Sequence, residues 1–151
     1  MNSELDGKIV LVTGGAGGIG SVISESFAEQ GAKVIVHYKH SKEKAELIAK
    51  KIKGVATYAD LTNSQQTKEL FDNIIKNEGK IDICIANAGK YPKDYAPLWE
   101  IGIERWNNTI STNLSLTYNT SRYFLKHVAE TKKGSLVLSL IHISEPTRQK
   151  P

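Results

Sequence analysis

The stretch Thr13-Gly14-Gly15-Ala16-Gly17-Gly18-Ile19-Gly20 has the residue types and spacing of a phosphate cradle. It follows an apolar run, Ile9-Val10-Leu11-Val12, and leads into a helical pattern. A turn built from residues without a Cβ lets backbone N–H groups approach a pyrophosphate, and the start of the next helix adds its partial positive charge. Glycines alone also serve ordinary turns, so the weight falls on the context of a buried strand before and a helix after. Gly14, Gly18, Ile19 and Gly20 are therefore candidate contacts of a mononucleotide or dinucleotide.

Three further places suit the same ligand. Asp60-Leu61-Thr62 ends an apolar run, where a carboxylate and backbone can meet an adenine ring. Ala86-Asn87-Ala88-Gly89 ends another, at the edge where open parallel sheets place ligands, and its small residues let a ribose lie against the backbone. Asn113 interrupts an amphipathic pattern that carries Leu114, Tyr118, Phe124, Leu125 and Val128. Singly, Asp60 reads as a turn residue, Asn87 as a loop cap and Asn113 as a polar kink. Their order and spacing together favour the ligand reading.

The end of the second apolar run bears on the form of the ligand. An acidic residue about 20 positions past the glycines binds a ribose 2′-hydroxyl. Here that place is Tyr38, followed by Lys39, His40, Ser41 and Lys42. No carboxylate repels a 2′-phosphate, and Lys39, Ser41 and Lys42 can bind one, which favours NADP(H) over NAD(H). The turn itself offers only Ala16 and Gly17, with no basic residue to help.

These residues need a scaffold, and the pattern supplies one. Apolar runs at Lys8–Val12, Lys33–Tyr38, Val55–Ala59, Ile81–Ala86 and Gly134–Leu138 read as buried parallel strands. Helical patterns at 19–30, 41–53, 64–78 and 103–130 alternate with them. The first is expected to bury Ile19, Val22, Ile23, Phe27 and Ala28, and Thr62 and Ser64 are candidate caps for the third. Alternation of this kind gives an α/β fold with a doubly wound parallel sheet, incomplete at its C-terminal end because no helical pattern follows the fifth strand.

Composition narrows the class. The chain has 151 residues, 40% of them hydrophobic and 24% charged, enough for one domain with a real core. The net charge of +4 is spread over helix lysines and lacks the dense basic stripe of a nucleic-acid surface. No apolar run approaches a membrane span, and no signal-peptide core opens the chain. The lone Cys84 lies in an apolar run, which points to a buried thiol and a cytoplasmic protein. His37, His40, His127 and His142 have no metal-ligand spacing, so no metal is expected.

The combination resembles the short-chain dehydrogenase/reductase family over residues 5–137. The matching pieces are Thr-Gly-x-x-x-Gly-x-Gly at Thr13–Gly20, Asp60-Leu61, Asn87-Ala88-Gly89 and Asn113. The resemblance implies a Rossmann fold and hydride transfer between NAD(P) and a small carbonyl or alcohol substrate. It implies that Thr13 bonds to the Asn87–Gly89 turn and that Asp60 accepts from the adenine amino group. Asn87 and Gly89 would contact the nicotinamide-side ribose, with Leu61 and Ala88 carried in by the motifs they complete. Asn113 would help to order the water of a proton relay. A homo-oligomer is implied for the full-length protein, through the long helix at 103–130.

The family's serine, tyrosine and lysine lack clear counterparts. Tyr38-x-x-x-Lys42 has the tyrosine–lysine spacing but lies near the adenine end, and Ser139 and Ser144 are out of register for the serine. The run Leu138–Arg148 matches, residue by residue, the translation of a transposase-type sequencing-library adapter. Residues 1–137 are thus expected to be the NAD(P)-binding domain, 138–151 a non-native tail, and the chain as printed inactive. Two alternatives stay open: a non-catalytic dinucleotide-binding module, and an epimerase or dehydratase on the same nucleotide-binding plan.

Overall fold

The computed structural model describes residues 4–90 and 96–139. Strands β1 (Ile9–Val12), β2 (Lys33–Tyr38), β3 (Val55–Tyr58), β4 (Ile83–Ala86) and β5 (Ser135–Leu138) form one parallel sheet in the order β3-β2-β1-β4-β5. Helices α1 (Gly18–Glu29), α2 (Lys42–Lys51), α3 (Ser64–Glu78) and α4 (Ile103–Thr131) connect them, with a short 3-10 turn at Leu98–Glu100. The chain runs outward from β1 through β2 to β3, then returns to the other side of β1 for β4. That reversal puts a topological switch point between β1 and β4, where such sheets open a crevice.

Side-chain alternation along β1 feeds two cores. Ile9 and Leu11 pack on one face with Leu70, Phe71, Ile74 and Phe124 of α3 and α4. Val10 and Val12 pack on the other with Ala45, Ile48 and Ala49 of α2 and the partly buried Ile23 and Phe27 of α1. Strands buried on both faces carry continuous apolar sequence, as β1 does.

Three local expectations need correction. Asn63 caps α3, its side chain accepting from the Gln66 N–H at 3.0 Å. Thr62 is held instead by Asp60, and the Ser64 hydroxyl meets the Tyr123 hydroxyl at 2.8 Å. Ile19 and Val22 are exposed, because α1 turns Gly20 and Ser24 to the sheet, where a bulky side chain would not fit. β4 starts two residues later than its apolar run suggests. Ile81 N–H goes to the His127 ring, while Asp82 donates its N–H to the Ile9 carbonyl and accepts the Ile9 N–H on its carboxylate, both at 2.9 Å.

β5 lies at the edge of the sheet, with Val137 and Leu138 half exposed. Leu138 still pairs with Ala86, and Ser139 N–H reaches the Ala86 carbonyl at 3.1 Å. Ser144 and residues 140–151 lie outside the described residues. Among the described residues, no helix is long and apolar enough to cross a membrane, and no group of three or more His, Cys, Asp or Glu residues could hold a metal ion.

Candidate functional site

The glycine turn is fastened to β2 by one residue. Gly14 donates its N–H to His37 Nδ1 at 3.1 Å, and Gly15 donates to the His37 carbonyl at 3.0 Å. Gly14 has φ +63°, a left-handed conformation that glycine adopts without strain. Gly17 then caps α1 with no side chain, so no side-chain acceptor covers the N–H groups of the first helical turn. Such a terminus attracts anions. A Cβ on Gly20 would run into the Gly14 carbonyl oxygen and approach Asn87 Nδ2 to 2.8 Å, so only glycine lets α1 start this close to the turn.

Across the switch point, Thr13 ties β1 to the segment after β4. Its hydroxyl oxygen accepts from Asn87 N–H and Ala88 N–H, both at 2.9 Å, and the hydroxyl donates to the Ile85 carbonyl at 3.2 Å. Asn87 Nδ2 donates to the Thr13 carbonyl at 3.0 Å. The amide is thereby oriented, and its Oδ1 is buried with no partner. Native proteins pair almost all buried polar atoms, so an oriented acceptor without a partner, on a residue of the groove wall, is suited to a hydroxyl donor from a ligand.

These pieces surround a groove of about 710 Å³ at the carboxyl edge of the sheet. Of the residues singled out from sequence, Gly14, Gly18, Ile19, Gly20, Lys39, Leu61, Asn87, Ala88 and Gly89 line it. Thr13 lies behind the wall at 1% exposure, and its contribution is to hold the wall in place. Asp60 joins through Lys39, whose Nζ is 2.6 Å from Asp60 Oδ2, while Asp60 Oδ1 takes the Thr62 N–H and hydroxyl. Burial pushes the Asp60 carboxyl up, but the Lys39 ammonium and the two Thr62 donors outweigh it and hold the group at about 2. Asn113 stands back from the groove. Its Oδ1 accepts the Lys90 N–H at 2.9 Å, and its Nδ2 donates to the carbonyls of Lys90 at 3.0 Å and Thr109 at 2.9 Å.

A family model for short chain dehydrogenases matches residues 8–140, which take in every part of this groove. The chain belongs to the short-chain dehydrogenase family. It is 36% identical over 144 residues to an NADP-dependent mannitol dehydrogenase of Alternaria alternata, covering 90% of this chain and 53% of that protein. It is 38% identical over 132 residues to a short-chain dehydrogenase/reductase of Pestalotiopsis microspora, covering 84% and 49% respectively. Versicolorin reductase 1 of Aspergillus parasiticus is 33% identical over 143 residues, with 91% and 53% covered. The chain spans about half the length of the curated relatives it matches.

Within this family member, sequence reasoning gave His37 no part beyond its unsuitability as a metal ligand, yet the residue holds the glycine turn and lines the groove. Thr112 and Leu116 of α4 also line it and went unnoticed, since nothing in a helical pattern shows which turn will face a crevice. Tyr38 lines the groove beside Lys39, while Lys42 faces Glu46 along α2 at 3.8 Å. The Tyr38–Lys42 spacing therefore brings no tyrosine–lysine couple together in the groove.

Proposed function

We propose that the complete protein is an NAD(P)-dependent oxidoreductase transferring hydride between the cofactor and a small-molecule carbonyl or alcohol. The observation that carries this reading is the oriented Asn87 Oδ1, buried without a partner in a groove walled by Gly14, Gly18 and Gly20. In the proposed arrangement the backbone N–H groups around Gly14, Gly18, Ile19 and Gly20 hold the pyrophosphate. Asp60 and Leu61 hold the adenine. Asn87, Ala88 and Gly89 hold the nicotinamide-side ribose, and Thr13 fixes their segment. Lys39 takes the 2′-phosphate, which makes NADP(H) the favoured form, and the name of the Alternaria relative is in keeping with that choice.

The nicotinamide supplies the hydride-carrying chemistry; the protein's part is to orient it, exclude water and move a proton. Asn113 contributes to the proton path by fixing the Lys90 backbone beside the groove. The proton-transferring tyrosine and its lysine are placed after β5 in the complete protein, and Ser139 is not assigned to the chemistry. A phenol has an unperturbed pKa of about 10, so it serves near neutrality only with such a lysine beside it. Residues 1–137 form the cofactor domain in this reading, and 138–151 are a non-native tail. The relatives' greater length supports a longer native chain. The buried Cys84 thiol suits a reducing cytoplasm. The exposed apolar side chains of α4, among them Trp106, Leu114 and Tyr118, suit a homo-oligomer of the complete protein.

The test is a thermal shift of this chain with NADP⁺ and NAD⁺, followed by an assay for alcohol oxidation. A rise in Tm that is larger with NADP⁺, without turnover above that of a Gly14→Asp control, is the expected result. No shift with either cofactor would overturn the reading. Sequencing the source DNA past the codon of Val137 tests the tail: the frame is expected to continue into a Tyr-x-x-x-Lys.

A further inference from the structure

His37 is 2% exposed, on the middle of three strands whose ends form the adenosine side of the groove. Each of its polar atoms near the groove is engaged. Nδ1 accepts from Gly14 N–H at 3.1 Å, the carbonyl accepts from Gly15 N–H at 3.0 Å, and Nε2 lies 3.0 Å from the Ala59 carbonyl. A carbonyl only accepts, so Nε2 carries the proton and Nδ1 is the lone-pair nitrogen. The ring is thus a neutral imidazole of one tautomer, spanning from the glycine turn to the end of β3, where Leu61 lines the groove and Asp60 holds Lys39.

From this geometry we infer that His37 is a positioning residue of the cofactor cradle, which holds the left-handed Gly14 turn at a fixed distance from the β3 end. The inference rests on the proposed NAD(P) reading and adds to it a residue that touches the turn, with the ligand held through the turn. A protonated ring would present N–H to the Gly14 N–H, donor against donor, and the clamp would open. The fold resists this: burial pushes His37 down to about 4, against the opposing pull of the Ala59 carbonyl and the Asp60 charge. On the β3 side the charged groups near the ring are Asp60 and its partner Lys39. The Gly14–Gly20 segment on the other side has no ionisable side chain.

Asn at position 37 keeps an acceptor on the δ atom and does not titrate, whereas Phe keeps the ring's bulk and loses both bonds. One neutral hydrogen bond to a buried amide corresponds to a loss of up to about tenfold in affinity. The test measures NADP⁺ and NAD⁺ binding by titration calorimetry for the unsubstituted chain, His37→Phe and His37→Asn, with circular dichroism to check folding. Alongside it, ¹⁵N NMR of the unsubstituted chain reads the ring tautomer. The expected result is a loss of about tenfold in affinity for the Phe variant, recovery to within about threefold in the Asn variant, and an Nε2–H tautomer at neutral pH. Wild-type affinity in the Phe variant, equal loss in both variants, or an Nδ1–H tautomer each overturns the inference. If the unsubstituted chain binds neither cofactor, the NAD(P) reading fails and this role falls with it. A wrong tautomer removes only the role of His37.

Discussion

Lys39 and Asp60 close on one another across the ends of β2 and β3, Nζ to Oδ2 at 2.6 Å. Sequence pattern gave them separate tasks, the lysine for a 2′-phosphate and the carboxylate for a place beside an adenine ring. The structure makes them one device. Asp60 also takes both donors of Thr62, so the carboxylate is the fixed member and the lysine the movable one. A phosphate arriving beside Lys39 competes with Asp60 for the ammonium, and the gain from binding is the difference between two charge-assisted bonds.

Lys39→Met is therefore expected to weaken NADP⁺ binding by about tenfold, the scale of one charge-assisted bond, and to leave NAD⁺ binding nearly unchanged. Titration calorimetry with both cofactors reads the ratio. Equal loss for the two would move Lys39 out of the 2′-phosphate site.

Thr13→Val keeps the side chain's shape and deletes its hydroxyl. Three polar groups lose a partner: the N–H of Asn87, the N–H of Ala88 and the Ile85 carbonyl. The Ile85 carbonyl retains the N–H groups of Thr13 and Asn87, both at 3.0 Å, so the cost falls on the Ala88 N–H. An unsatisfied buried group costs about 1–3 kcal/mol, and that is the expected destabilisation. Urea unfolding measures it, and a change under about 0.5 kcal/mol would show that the segment after β4 is held by other means.

How much of this was legible in the sequence depended on how local the cause was. β2 and α3 have the spans their patterns predict, Lys33–Tyr38 and Ser64–Glu78, because apolar runs and helical periods are properties of a few adjacent residues. The strand–glycine–helix context located the turn between β1 and α1 for the same reason. The partners that fix it are distant in sequence: Gly14 with His37, Lys39 with Asp60, Asn113 with Lys90. No periodicity encodes such pairings. A histidine inside an apolar strand was the available signal for the first of them, since a buried ring must find partners for its nitrogens.

Gly18 and Gly20 separate the needs of the fold from those of the ligand. A Cβ at Gly18 meets nothing within 4 Å, whereas at Gly20 it collides with fixed backbone. Overpacking costs about 1–3 kcal/mol, so Gly20→Ala is expected to lower Tm and abolish cofactor binding together. Gly18→Ala should leave Tm unchanged and still weaken NADP⁺ binding, because its methyl group adds to the wall of the groove. Full NADP⁺ affinity in Gly18→Ala would place the pyrophosphate elsewhere.

Acid unfolding should proceed through two separable windows. His37 has a folded-state value of about 4 against an ordinary 6.5, so between those limits the unfolded chain binds the proton and the folded chain does not. The unfolded state then holds more protons, and stability rises with pH. His37's contribution is complete above pH 6.5 and is lost as pH falls towards 4, by on the order of 3 kcal/mol. Asp60 acts lower. Its value of about 2 against 3.8 gives a contribution present above pH 3.8 and lost as pH falls towards 2. Urea midpoints measured between pH 7 and pH 3 are expected to decline already below 6.5. The decline between 6.5 and 4 should flatten in His37→Asn and persist in Asp60→Asn. A His37→Asn variant with the wild-type slope would assign that window to another group and show that the Gly14 clamp does not resist protonation.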